Sequence, residues 1–417
     1  MILPPPLRDD CFALPAGVDW LPADRALELL SQAMHPQVEI MRVDINESRG
    51  RILAEDITAP ENSPPHVNSA IDGYGYLGTQ SENRDVVRLS LMQGRAAAGH
   101  PFATAVPEGH AVKVLTGAIL PEGVDTVVLQ EDVSGDAHEI VFRGPLKAGK
   151  NTRLAGEDIQ TGQILFKKGR NIRTSDLAVL ASVGIAQIMV YRPLRVGVLS
   201  TGDELIETGE VMEFGHVYDA NRPMLIGQML QLGYDVVDMG RAADDIQSLR
   251  LILDSAVERC DALITTGGAS AGEEDHMSMV LRDSGSLEMW RIAVKPGRPM
   301  AMGLWNGLPI FGLPGNPVAA MVCALVFTQP ALRKLAGGNW KIPQSFDVSA
   351  AFEKTKKSGR REYLRARIRK GHAEVFSSEG SGRITGLSWA DGLVELSEPA
   401  CDIKIGDQVR YIPFSEF

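Results

Sequence analysis

Apolar positions follow two rhythms along this chain, and the switch between them marks its organisation. From Leu194 to Gly337, short apolar runs alternate with segments whose apolar residues recur at helical spacing. Runs at 195–200, 234–239, 261–266, 289–294, 299–304 and 309–313 read as strands. Helices are predicted at 222–232, 245–258, 275–284 and 317–335, with Ile246, Leu249, Leu253 and Val257 marking the apolar stripe of the second. Such alternation predicts a parallel, doubly wound α/β domain. The stretch Val318–Phe327 is apolar all round and is therefore expected in the core.

Either side of this region the texture changes. Residues 1–20 are rich in Pro and carry no periodicity, which predicts an irregular arm. Ala26, Leu29, Leu30 and Ala33 keep helical spacing; a second helix is expected at Ser175–Val183, with Thr174 as N-cap and Gly184 past its end. Between them lie short β-like pieces punctuated by Gly and Pro: Val86–Leu89, Ala111–Leu115, Thr126–Gln130 and Glu139–Phe142. The domains expected are an arm (1–20), a discontinuous linker domain (21–57 and 152–193), a β-rich insert (58–151), the α/β domain (194–338) and a terminal β domain (339–417).

Composition narrows the classes. With 44% hydrophobic and 23% charged residues, the 417-residue chain is ordinary for a globular protein. A net charge of −11 argues against general nucleic-acid binding, which depends on Lys and Arg at phosphates. No apolar run reaches the ~18 residues of a membrane span, and no secretory signal pattern is visible, so no membrane role is expected. Cys11, Cys260, Cys323 and Cys401 are too dispersed for a zinc cluster or disulfide framework, and a reducing cytoplasm is the expectation.

Candidate chemistry gathers at strand ends, where open α/β sheets bind ligands. Thr201-Gly-Asp-Glu204 offers a hydroxyl, a flexible turn and two carboxylates, a donor set suited to Mg²⁺; equally, Asp203 could cap a following helix. Thr265-Thr-Gly-Gly-Ala-Ser-Ala-Gly-Glu-Glu-Asp275, including Ser270, reads either as an anion cradle or as a glycine turn capped by Asp275. Leu313-Pro-Gly-Asn-Pro317 places Pro317 at a first helical position behind Asn316, again fitting an anion site or plain capping. Lys295-Pro-Gly-Arg-Pro299, with Arg291 just before it, holds cations on a rigid turn suited to oxyanions, or forms a solvated hairpin. Lys354–Lys370 carries nine Lys or Arg, which fits a solvated face or a landing surface for an anionic ligand centred near Arg365. In the N-terminal half, Asn68-Ser-Ala-Ile-Asp-Gly-Tyr74, Leu115-Thr-Gly-Ala118, Arg153 and Gly156-Glu-Asp158 each read more readily as structure than as chemistry.

Taken together, NSAIDGY, LTGA, RLAGEDI, STGDEL, TTGGASAGEED, VKPGRP and GLPGNP resemble, in family order and over roughly residues 21–417, the MoeA family of molybdopterin molybdenumtransferases. The resemblance implies a multidomain α/β protein: a three-layer doubly wound domain like the molybdopterin adenylyltransferases, a discontinuous linker domain, a β insert and a C-terminal β-barrel. It implies an elongated homodimer whose active site is shared between subunits. The implied reaction inserts molybdate into adenylylated molybdopterin with release of AMP, dependent on Mg²⁺. Contacts with molybdopterin adenylyltransferase and apo-molybdoenzymes are further expected partners.

By motif, the resemblance assigns catalytic roles to Asp72, Thr116, Glu204 and Asp244, with Glu204 and Asp244 as Mg²⁺ ligands. Substrate binding falls to Arg153, Asp158, Ser270, Asp275, Arg291, Lys295, Arg298, Pro314, Pro317 and Arg365. Arg298 and Arg291 stand where the family carries lysines; they keep the charge but not the compact ammonium. Two other functions compete: an adenylyltransferase, which would not require Asp72, and a non-catalytic scaffold of the gephyrin type, which would not require acids at several strand ends.

Overall fold

A computed structural model describes residues 20–243, 245–267, 276–283, 287–297 and 299–417, with the backbone alone at 287–291 and 299. The chain forms two units, one holding the chain up to Met41, Gly50–Ala54 and Val190–Phe417, the other Arg42–Arg49 and Glu55–Met189.

In the first unit, a six-stranded sheet runs in the order Asp235–Ala242, Arg195–Thr201, Ala262–Thr266, Leu308–Leu313, Pro299–Trp305, Leu287–Arg291. The first four strands are parallel. Val196, Val198, Leu199, Leu263, Ile264, Ile310 and Phe311 are all buried. Burial on both faces explains why these strands read as unbroken apolar runs rather than as alternation. Helices Ile246–Arg259 and His276–Asp283 pack Leu249, Leu253, Val280 and Leu281 against Leu199, Leu263 and Ile310. Helices Asn221–Gln231 and Pro317–Cys323 pack on the sheet and on each other.

The edge corrects the all-parallel expectation. Pro299–Trp305 runs antiparallel to Leu308–Leu313, and Leu287–Arg291 runs antiparallel to Pro299–Trp305. Asn306 and Gly307 form the first connection with φ of 48° and 87°. Two positive φ angles make a type I′ hairpin turn, for which Asn-Gly is the preferred pair. Beyond the sheet, Pro317–Cys323 continues through a π turn at Ala324–Thr328 into Gln329–Leu335. This 19-residue helix is long and apolar enough to cross a membrane, yet 83% of its most apolar window is buried inside the protein.

The same unit ends in the expected barrel. Phe346–Ala350, Gln408–Pro413, Gly392–Leu396, Arg361–Arg369 and His372–Val375 close on themselves through pairing of the first and last. Ala350, Leu364, Ala366, Val394 and Tyr411 fill the interior. Val294–Lys295 joins its edge in parallel with Arg361–Glu362.

In the second unit, a six-stranded sheet orders Thr126–Leu129, Gly73–Tyr76, His110–Val114, Val86–Ala96, Glu139–Arg143 and Val133–Gly135. Tyr76, Leu89, Val128, Ile140 and Phe142 form one of its cores. Helix Thr174–Ser182 starts one residue earlier than its sequence signal, with Arg173 at the N-cap position. Asp176 accepts the Arg173 N–H at 2.9 Å and a bidentate pair from Arg170, which fixes that start.

Candidate functional site

The carboxyl ends of three adjacent parallel strands, at Thr201, Thr266 and Leu313, converge through glycine. Gly267 has φ of 87°, and a Cβ there would collide with the Thr201 carbonyl oxygen. A Cβ on Gly315 would sit 3.6 Å from the Gly267 Cα, so the two turns pack backbone to backbone. Asn221 ties them: its Nδ2 donates to Thr266 Oγ1 at 2.8 Å and to the Gly315 carbonyl at 2.7 Å. Among the described residues, Ser200 Oγ, Thr201 Oγ1, Thr265 Oγ1, Asn221 Oδ1 and Asn316 Oδ1 are buried without a hydrogen-bond partner. Buried polar atoms are almost always paired. Five such atoms lie at or beside these strand ends, where open α/β sheets bind ligands.

Glu204 follows three residues after Thr201, the end of the first of these strands. No helix follows strand Arg195–Thr201 directly; the chain makes an excursion in which Leu205–Ile206 pairs in parallel with Val217–Tyr218 before helix Asn221–Gln231. The reading of Asp203 as a helix cap is therefore wrong. The exposed Glu204 carboxylate folds against Gly202, where a Cβ would collide with it. Arg222 anchors the excursion through Glu207, Asp219 (3.2 Å) and Asp238 (2.7 Å). Burial works against its charge, but Asp238 and Asp219 more than offset this and raise its pKa above the usual value. Mg²⁺ takes oxygen ligands, commonly one or two carboxylates with water and substrate phosphate. The donor type of Glu204 fits that ion, although no group of three His, Cys, Asp or Glu gathers for a metal among the described residues.

Several sequence candidates lie outside the described residues: Asp244, Ser270, Asp275, Arg298 and the Arg291 side chain. Next to Asp244, Asp245 caps helix Ile246–Arg259 by accepting the N–H groups of Gln247 and Ser248 at 3.0 and 2.9 Å.

Around the KPG turn, charge is locally balanced. Lys295 Nζ lies 2.7 Å from Glu379 and 3.5 Å from Glu362, and Lys354 pairs with the same two acids. Burial opposes ionisation of Glu379, yet Lys295 and Lys354 hold its carboxyl below the usual range. Lys295, Pro296, Val318, Lys354, Arg365 and Ser378 line a cavity here. Pro314 offers its carbonyl to Thr266 Oγ1 at 3.4 Å, and Pro317 opens the long helix as expected, though Asn316 makes no side-chain cap bond.

Arg365, at the centre of the basic run, does not stand on an open surface. Arg365 is 4% exposed, stacks 4.9 Å above the Phe376 ring, and gives its guanidinium N–H groups to the carbonyls of Ser378 (2.5 Å), Gly380 (3.2 Å) and Arg383. Lys356 is buried and donates to the carbonyls of Lys357, Glu398 and Pro399. These cations are spent on loop carbonyls, so Arg365 shapes the cavity wall rather than an open anionic face.

In the second unit the structure brings Asp72 and Thr116 together. Asp72 Oδ1 accepts both the Thr116 N–H and the Thr116 hydroxyl at 2.7 Å. The backbone bond first and the hydroxyl second pull the Asp72 carboxyl below its usual pKa. Gly73 follows because a Cβ there would collide with the Val128 carbonyl of the neighbouring strand. Arg153 pairs by backbone with Asn68 of the same motif. Arg153 and Asp158 are both exposed, and the turn between them is closed by the Glu157 carboxylate accepting the Leu154 N–H at 2.9 Å.

Residues 21–184 match the family described as the MoeA N-terminal region (domain I and II), 197–334 a probable molybdopterin binding domain, and 347–414 the MoeA C-terminal region (domain IV). A molybdopterin molybdenumtransferase of Haemophilus influenzae is 35% identical over 402 residues, covering 95% of this chain and 99% of that protein. The chain belongs to the MoeA family. Molybdopterin molybdenumtransferase 2 of Mycobacterium tuberculosis is 30% identical across 88% of this chain and 93% of its own length. The crystal structure of a molybdopterin biosynthesis MoeA protein from Pyrococcus horikoshii OT3 superposes with a TM-score of 0.83 at 27% identity, covering 95% of this chain and all of that one.

Within this MoeA-family chain, motif matching found Asp72, Thr116, Glu204, Pro314 and Pro317 but passed over Asn221 and Arg222. Their one sequence signal was Asp219-Ala-Asn221 opening a predicted helix, which reads as ordinary capping.

Proposed function

We propose that the chain is a molybdopterin molybdenumtransferase, inserting molybdate into adenylylated molybdopterin and releasing AMP. The observation that carries this reading is the meeting of three parallel strand ends through Gly267 and Gly315, with the buried hydroxyls of Thr201 and Thr265 unpartnered among the described residues. Support comes from the full-length likeness to the Haemophilus influenzae protein of that name. Glu204 would hold Mg²⁺, with Asp244 as a second acid; when bound, the ion supplies positive charge to a substrate phosphate. Molybdate would lie among Arg291, Lys295, Arg298 and the Pro314–Pro317 turn.

Asp72 is held as a carboxylate by two Thr116 donors, so its task is to orient the attacking group more than to take up a proton. Fixed charges placed in this way are the main lever in phosphoryl chemistry. Asp72 would act from one subunit on the crevice of a second in a cytoplasmic homodimer that hands its product to apo-molybdoenzymes. Asp158 and Arg153 would contact the substrate beside Asp72, and Ser270 and Asp275 are proposed as further substrate-binding residues.

The test is AMP release from adenylylated molybdopterin with and without molybdate, with ATP consumption followed in parallel. Glu204→Ala is expected to cut molybdate-dependent release about 100-fold or more. ATP turnover to adenylylated product and pyrophosphate, without molybdate-dependent AMP release, would point to an adenylyltransferase instead.

A further inference from the structure

The hydrogen bonds of Asn221 have a direction fixed by their partners. This residue is 8% exposed and opens helix Asn221–Gln231. The Gly315 carbonyl can only accept, so the amide nitrogen must face it, and the side chain cannot be flipped. Thr266 Oγ1 accepts the second amide hydrogen at 2.8 Å and has its own hydrogen left for the Pro314 carbonyl, 3.4 Å away. One side chain therefore fixes two consecutive carbonyls, Gly315 directly and Pro314 through a hydroxyl.

Peptide planarity extends the effect. In a trans peptide the N–H points opposite to its C=O. Drawing the carbonyls of Pro314 and Gly315 toward Thr266 and Asn221 turns the N–H groups of Gly315 and Asn316 the other way. Those donors stand immediately before a 19-residue helix that begins at Pro317. Two successive amides at the head of a helix make an anion cradle. The packing of Gly315 on Gly267 independently sets the turn against the end of strand Arg195–Thr201, where the hydroxyl of Thr201, a residue only 6% exposed, lies beside Gly267 with no partner among the described residues and can donate to an anion.

We propose that Asn221 is the positioning residue of this cradle: through Thr266 and Gly315 it aims the Gly315 and Asn316 amides at the oxyanion. The choice of molybdate as that oxyanion rests on the transferase reading above. Asn221 itself touches no reacting atom in this scheme, so its loss registers as anion affinity rather than as turnover.

The test uses the full-length protein and four variants, Asn221→Ala, Asn221→Asp, Thr266→Val and Thr266→Ser, each checked by thermal melting. Calorimetry gives the Kd for molybdate, and AMP release gives kcat and the molybdate KM. Asn221→Asp keeps the shape but sets a carboxylate oxygen against the Gly315 carbonyl; Thr266→Val keeps the shape but removes the relay. Both are expected to raise Kd and KM about tenfold, the scale of one lost hydrogen bond, with kcat within about threefold of wild type. Thr266→Ser retains the hydroxyl and should restore near-wild-type values. A folded Asn221→Asp with wild-type Kd, a kcat loss at unchanged KM, or no molybdate binding by the wild type would overturn the proposal. Wild-type protein that binds molybdate but releases no AMP would sink the transferase reading alone, because the Kd comparison still decides the role of Asn221.

Discussion

At the scale of single residues, the most telling pair is Asp72 and Thr116. Both came from short motifs 44 positions apart, and the fold sets them at 2.7 Å. Asp72→Asn keeps an oxygen acceptor for the Thr116 donors and removes only the charge. We expect AMP release to fall at least about 100-fold while the melting temperature stays within error; retained activity would show that the charge is not used. A second residue matters for stability alone. Asp261 is 7% exposed and paired with Arg192 and Arg195 at 2.6 and 3.0 Å. Burial by itself would raise its pKa, but the two arginines pull it down to about 2. Its folded pKa lies below the ordinary carboxylate value, so its stabilisation is complete above about pH 4 and fades as pH falls through about 2. Asp261→Asn should cost about 2 kcal/mol at neutral pH in urea titrations, because a nearly buried carboxylate that pairs with two part-exposed arginines is lost. That gap to wild type should narrow between about pH 4 and pH 2.

Among elements, the sequence announced strands and helices well because burial on both faces writes itself as unbroken apolar runs. The strand ends were legible for the same reason: each run stops abruptly at Gly, Thr or Pro. What stayed hidden was pairing direction and purpose. The Asn306–Gly307 pair carried a hairpin signal that the alternation of strand and helix overrode, so two antiparallel strands were taken as parallel. The charge of Lys354–Lys370 was visible, but its pairing with Glu379 and with the carbonyls of Ser378, Glu398 and Pro399 depends on contacts 13 to 43 positions away. Asn221 was invisible for a related reason, since its partners lie 45 and 94 positions away. Glycine at the strand ends gives the element-scale prediction. Gly267→Ala must fit a Cβ against the Thr201 carbonyl at φ of 87°. It should destabilise the protein by about 1–3 kcal/mol and weaken substrate binding; a variant unchanged in both would mean that the two turns do not need to touch.

For the whole molecule, the two sets of candidate residues sit in different packing units, Asp72 and Thr116 in one, Glu204 and the strand ends in the other. If a second copy completes each site, inactive Asp72→Asn and Glu204→Ala proteins should rescue one another when unfolded and refolded together. Random pairing makes half of the dimers mixed, each with one intact site, so about a quarter of wild-type AMP release should return. Separate refolding followed by mixing serves as the control, and absence of rescue would place the whole site within one chain. The buried helix at 317–335 has a different consequence, for the life of the chain rather than its chemistry. By length and composition alone it resembles a membrane-spanning segment, a likeness that a buried core helix shares. Packing against the sheet and against helices Ala23–Ala33 and Asn221–Gln231 hides it, so loss of that packing would expose a long apolar segment and favour aggregation.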